Sequence, residues 1–279
     1  MAGRKDLPVQ FAINYSPQAA ELLARGQISV DRFKCPPWPD LLAEARAHAP
    51  VYVHFDLRAD PVANRMLDFG SIARLYTDTH TPYLNLHLIP SRQALPAMAH
   101  DTTDPRDIKA MTDALLTGVW LVVEEFGVEN VILENLPYYG GRYPDELRPA
   151  VEADVIRRIV EETGCGFLLD ISHGRLAARH MGLDERDYLA RLPGARLREL
   201  HITGIGLDQE GLVCDHLGLS EEDWPFLTWT LDRIRSGEWA TPEIMAFEYG
   251  GIGPLFEWRS DAAVIAAQVP RLAELAHSL

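Results

Sequence analysis

Cysteine is scarce in this chain: three residues among 279, at positions 35, 165 and 214. So few, so far apart and odd in number, they exclude a disulfide framework. Basic clusters are missing too. No run of Lys or Arg exceeds two residues, and the formal net charge is −15. Nucleic-acid phosphates select clustered Lys and Arg, so no nucleic-acid partner is expected. No apolar run reaches the roughly 20 residues of a membrane-spanning helix, so no membrane association is expected. Residues 1–8 contain Arg4 and Lys5 but no apolar segment, which points away from a signal peptide and toward a cytoplasmic protein. Low-complexity tracts and shifts in composition that would mark a linker are absent. Motifs for several chemistries are missing as well: there is no G-x-S-x-G elbow and no P-loop. Thr203-Gly204-Ile205-Gly206 has two glycines of a dinucleotide fingerprint but not the third.

What the chain does have is a repeating grammar. A few apolar residues lead to an Asp, Glu or His, and a loop follows. Asn130 to Pro137 is the clearest case, with an apolar run of the length of a buried parallel strand ending at Glu134 and Asn135. Similar strands are expected over residues 8–14, 27–33, 50–56, 82–90, 166–173, 196–204 and 243–251. Helices are expected between them. Ser16-Pro17 opens one by N-cap chemistry and Gly26 stops it. Others are expected over 39–48 and 60–76, from the Asp104-Pro105 cap to Gly127, and over 144–163, which Gly164 ends. Two short helices should follow residue 173. A Gly-rich loop then leads to Cys214-Asp215-His216, Ser220 should cap a helix to Arg235, and a last helix covers about 261–277. Eight strands, each followed by helix, predict an α/β fold, a single (β/α)8 TIM barrel spanning 1–279 as one domain.

In such a barrel every strand C-terminus opens on one face, where the active site lies. The candidates there are His54, His87, Glu134, Asp170, His173, Glu199, His201, Asp215, His216 and Glu248. The other five of the ten histidines (His48, His80, His100, His180 and His277) fall in helices or loops and are expected on the surface. A lone His at a strand end is ordinarily a hydrogen-bonded histidine, and a lone Asp or Glu a helix cap. Nine or ten such groups around one mouth would repel each other or lie desolvated, and cations are the ordinary remedy. Mixed imidazole and carboxylate ligands suit iron, manganese or zinc. Nine ligands exceed one ion, so two or three metal ions are expected, with Glu134 or Glu248 as a bridging carboxylate. Glu199 precedes His201 by two on the same strand, so both side chains point the same way, and Glu199 is read as orienting His201. Cys165 reads as a small core residue. Cys214 is either a loop residue or a soft ligand.

Taken as a set, Leu133-Glu134-Asn135-Leu136-Pro137, Leu168-Leu169-Asp170-Ile171-Ser172-His173, Glu199-Leu200-His201-Ile202-Thr203-Gly204, Cys214-Asp215-His216 and Phe247-Glu248 resemble the multinuclear non-haem iron oxygenases. That family belongs to the xylose isomerase-like TIM-barrel superfamily. The resemblance implies a barrel with two or three irons that uses O2 to oxidise or rearrange peptidyl cysteine, together with a small partner protein that binds the peptide. It implies metal binding by His54, His87, Glu134, Asp170, His173, His201, Asp215, His216 and Glu248, with Glu134, Asp170 and Glu248 as the catalytic carboxylates. Two departures stand out. Cys214 occupies the place of a family His before the Asp-His pair, and Ile205 stands where the family often has His. The alternative is a divalent-metal sugar isomerase or epimerase of the same superfamily, with Glu134 and Glu248 as acid–base pair. A zinc phosphodiesterase on this fold conflicts with the −15 charge.

Overall fold

The structure, a computed structural model, describes residues 8–254 and 256–279. The N-terminal segment read above for a targeting signal lies outside them, apart from its last residue. The elements run β1 (Gln10–Asn14), α1 (Pro17–Ala24), β2 (Arg32–Cys35), α2 (Pro39–Arg46) and β3 (Val51–Val53). Next come β4 (Leu57–Arg58), α3 (Pro61–Asn64), α4 (Phe69–Asp78), β5 (Leu84–His87), α5 (Pro105–Phe126), β6 (Val131–Glu134), α6 (Ala153–Thr163), β7 (Gly166–Asp170), α7 (Ile171–Met181) and α8 (Glu185–Arg191). The chain closes with β8 (Leu197–Ile202), β9 (Gly204–Leu207), β10 (Val213–Leu217), α9 (Trp224–Arg235), β11 (Ile244–Phe247) and α10 (Ala262–His277). No helix among the described residues is long and apolar enough to cross a membrane.

Two compact units emerge. One holds the described residues up to His54 and those from Arg198 onward; the other is Phe55–Leu197. In the first, β3, β2, β1, β11 and β8 lie side by side and parallel. In the second, β7, β6, β5 and β4 do the same. Strands buried on both faces read as near-continuous apolar runs, and β1 and β6 have that character.

Alternation decides what each strand presents to each side. In the first unit, register pairs Ala12 with Ala246 and Arg32, Lys34 with Asn14 and Tyr52, Ile244 with Glu199, and Ala246 with His201. Ala12, Tyr52, Ile244 and Ala246 pack together on that side as a buried cluster. The polar residues two positions further along β1, β2, β8 and β11 continue the same face beyond the cluster. In the second unit, Tyr83, Ile132 and Leu168 form the matching apolar cluster. His87 pairs with Glu134 in register beyond it.

Several boundaries differ from the sequence reading, each for a local reason. The second strand begins at Arg32 rather than residue 27, because the Asp31 carboxylate takes the Phe11 N–H at 2.7 Å in place of a ladder partner. The strand expected over 50–56 is shortened to β3, and a further short strand, β4, lies just past it. Residues 60–76 form two helices, and Asp68 caps the second by accepting from Ser71 N–H. Helix α6 begins at Ala153, because Pro149 lies in a preceding 3-10 turn where a helix interior would need its N–H. Residues 171–173 belong to α7 instead of the sixth strand, since the Asp170 carboxylate caps His173 N–H at 2.8 Å. Ser220 does not cap α9; its N–H and hydroxyl both donate to Asp223 at 2.7 Å, and the helix starts at Trp224. The Gly-rich loop is an antiparallel hairpin, β9 with β10. There a Cβ on Gly204 would sit 2.0 Å from the Gly218 carbonyl oxygen, so only glycine fits.

Candidate metal centre

In the Phe55–Leu197 unit, four predicted residues come together: His87, Glu134, Asp170 and His173. Glu134 and Asp170 are buried at strand ends, and His173 is buried in the first turn of α7. His87 Nε2 faces Glu134 Oε2 at 3.2 Å. His173 Nδ1 lies 3.6 Å from Glu134 Oε1, and its Nε2 lies 3.7 Å from Asp170 Oδ2.

What holds these side chains was only partly visible from sequence. Asn135, fully buried, clamps the neighbouring strand. Its amide donates to the Asp170 carbonyl, and its Oδ1 accepts from Asp170 N–H, each at 2.9 Å. Its main-chain carbonyl accepts from His173 Nδ1 at 2.9 Å. Asn85, two residues before His87 on the same side of β5, donates to Glu134 at 3.5 Å and accepts from Phe55 N–H at 2.7 Å. Both are polar residues in otherwise apolar strand ends, which is the one signal that could have singled them out.

The unit that ends at His54 and resumes at Arg198 gathers the other five predicted residues on its strand ends and hairpin. Ligand atoms of His54, His201 and Glu248 lie within 4.8 Å of one another. His201 Nδ1 is 3.2 Å from Glu248 Oε1, and His216 Nδ1 is 3.6 Å from Glu248 Oε2. His216 Nε2 is 3.7 Å from Asp215 Oδ1. His216 has φ of 59°, a left-handed backbone rare outside glycine, at the irregularity of the β9–β10 ladder. That strained turn aims the ring at Glu248.

Glu199 does what its spacing suggested: its Oε1 accepts from His201 Nε2 at 2.8 Å. The Tyr52 hydroxyl donates to the same oxygen at 2.8 Å. Burial, then the Glu199 carboxylate, push the Tyr52 phenol well above its ordinary range, so it stays a donor. Lys34 is a participant that the sequence reading left out. Its ammonium, 7% exposed, pairs with Glu248 Oε1. Burial by itself would raise the Glu248 pKa, but His201, Lys34, His216 and His54 outweigh it and hold the carboxyl well below the ordinary 4.5.

The remaining histidines (48, 80, 100, 180 and 277) are all exposed, as expected. Cys165 is a buried core thiol whose pKa burial pushes up to about 11. Cys214 is half-buried on β10, its pKa raised by burial and then by Asp215.

One pattern repeats in both units. His87 Nδ1 is spent on the Leu57 carbonyl at 3.1 Å, His173 Nδ1 on Asn135, and His201 Nε2 on Glu199. A carbonyl or carboxylate oxygen only accepts, so that nitrogen carries the proton. The other nitrogen faces a carboxylate. An imidazole nitrogen and a carboxylate oxygen held this close can share a cation, and an outer oxygen orienting each ring is the usual support for a histidine that binds metal. The donor set, imidazole and carboxylate without paired thiolates, fits iron, manganese or zinc.

Comparison with known proteins adds the family. The chain is similar to UPF0276 proteins: 27% identical over 180 residues to one from Caulobacter sp. strain K31, covering 62% of this chain and 58% of that one. A Bordetella pertussis relative is 37% identical over 128 residues, 43% of each chain. A Pseudomonas aeruginosa relative is 33% identical over 102 residues, 34% of each. The matches therefore span between about a third and three fifths of those relatives. Among solved structures, a xylose isomerase domain protein from Salmonella typhimurium LT2 superposes with a TM-score of 0.55 at 15% identity, over 96% of this chain and 97% of that one. One from Planctomyces limnophilus gives 0.56 at 11%, over 97% and 98%. The fold is thus the TIM barrel expected from the strand pattern, of the xylose isomerase-like kind that the motif resemblance implied. Residues 97–237 match the family model described as the RiPP precursor modification enzymes MbnB/TglH/ChrH, and the chain belongs to that family.

Proposed function

We propose that this chain is a multinuclear iron-dependent oxygenase or oxidase that acts with O2 on a cysteine thiol of a precursor peptide. The reading covers the whole of 1–279 as one barrel domain, which the nearly end-to-end match to xylose isomerase domain proteins supports. The observation that carries it is the repeated histidine geometry, in which one nitrogen is fixed by an oxygen and the other faces a carboxylate. In this reading His54, His87, Glu134, Asp170, His173, His201, Asp215, His216 and Glu248 hold the metals. Iron, when bound, supplies the Lewis acidity that lowers a substrate thiol's pKa and the redox capacity for O2.

The chain's own residues do the remaining work. Glu134 and Glu248 each face two histidines, and in this reading they supply the negative charge that retains the cations. Glu199 and Asn135 fix ring orientation. Asp170 both caps α7 and faces His173, so a metal bound there is tied to the helix start. A small partner protein that presents the peptide belongs to the same reading, supported by the family's peptide substrates.

The test is elemental analysis and absorption spectroscopy of protein from iron-supplemented cells, followed by O2 uptake with a cysteine-containing peptide. About two or three irons per chain, a coloured protein and thiol-dependent O2 uptake are expected. A colourless manganese or zinc protein that isomerises sugars without O2 would overturn this in favour of the isomerase alternative, which rests on fold likeness alone.

A further inference from the structure

Lys34 lies on β2 in register with Asn14 and Tyr52, on the strand face that continues past the apolar cluster of Ala12, Tyr52, Ile244 and Ala246. It is 214 residues from Glu248 in sequence, yet the two side chains pair directly. Their exposures are 7% and 3%. A buried ammonium persists only with a partner, and here the partner is a carboxylate that also faces His201 and His216. The oxygen that takes Lys34 is the same Oε1 that faces His201 Nδ1. A fixed positive charge therefore stands against an oxygen of the group His54, His201 and Glu248, whose ligand atoms cluster within 4.8 Å.

We propose that Lys34 is a built-in counter-cation of Glu248 that competes with a divalent ion for the His54–His201–Glu248 group and so sets how many metal ions the chain retains. The inference rests on the metal reading above. Lys34 acts through Glu248, as a positioning residue. A monocation near a divalent ion in a partly desolvated site repels it, and the Lys34 ammonium, tethered to β2, stays within reach of Glu248. With Lys34 present, the Glu248 charge is already compensated. Without it, the carboxylate has the imidazoles alone, and a metal ion becomes the stronger partner.

The experiment is a zinc titration of chelator-stripped protein, wild type beside Lys34→Gln and Lys34→Arg, read by competition with a chromophoric chelator and by thermal shift. Zinc is the probe because it is redox-silent. Lys34→Gln should bind its weakest equivalent at least about tenfold more tightly, or bind one equivalent more than wild type. Its rise in Tm on zinc addition should also exceed that of wild type. Lys34→Arg, which keeps the charge, should match wild type. Unchanged or weaker zinc binding by Lys34→Gln overturns the proposal, because a merely structural ion pair would leave affinity alone or lower it. If Lys34→Gln does not fold when stripped, Lys34→Met is titrated by refolding with and without zinc, with the same expected and overturning results. Wild type that binds no zinc would sink the metal reading and this inference together. Wild type that binds while Lys34→Gln matches it would sink only this one.

Discussion

Asn135 offers the sharpest test of how the second unit is held. Its side chain is fully buried and makes two 2.9 Å bonds to the Asp170 backbone, one as donor and one as acceptor. Asn135→Ala removes both. A buried bond of this kind contributes about 0.5–1.5 kcal/mol, so the pair accounts for about 1–3 kcal/mol. Set against a typical domain stability of about 5–15 kcal/mol, that is a large fraction. Urea unfolding of metal-free protein measures it as a lowered midpoint at unchanged slope. Asn135→Asp sharpens the test. It keeps an oxygen for the Asp170 N–H but turns a carboxylate oxygen toward the Asp170 carbonyl, so it should also destabilise. Because Asp170 in turn caps His173 N–H, metal affinity should fall by about tenfold or more in both variants. A loss below about 0.5 kcal/mol in Asn135→Ala, or a fully stable Asn135→Asp, would refute the reasoning.

Three further outcomes are expected. Glu248 has a folded-state pKa held below the ordinary 4.5, so the stability it contributes to the metal-free protein is complete above that value and is lost as pH falls through the lowered one. Glu248→Gln should flatten this acid limb in a pH series of denaturation midpoints; identical limbs would contradict it. Tyr52→Phe deletes a buried hydrogen bond to the Glu199 side chain and takes a donor from its oxygen, so a loss of about 1–3 kcal/mol is expected in chemical denaturation. Gly204→Ala must push a Cβ into the Gly218 carbonyl, so the β9–β10 hairpin should open and the Tm drop by several degrees, readable by calorimetry.

The alternation of residues within a strand determined a good deal before any folding was known. It put Glu199 and His201 on one side of β8, and it placed His87 and Glu134 at strand ends, because side-chain direction in a strand is a local property with period two. Local cap chemistry likewise set the starts of α1, α5 and α10 at Ser16, Asp104 and Asp261. The carboxylates and histidines themselves were legible because each interrupts an apolar run where burial makes a charge costly.

What only the tertiary structure decided is pairing. No local rule joins Lys34 to Glu248, turns the Asn135 amide onto Asp170, or folds the segment around Cys214 into a hairpin whose His216 adopts a left-handed backbone. Asp170 shows the boundary well: the residue was evident as a candidate, yet its cap on His173 converts the expected strand end into the first turn of α7. These contacts depend on parallel register between strands distant in sequence. Register is chosen by the summed packing of whole strands and helices, which no short stretch of residues contains.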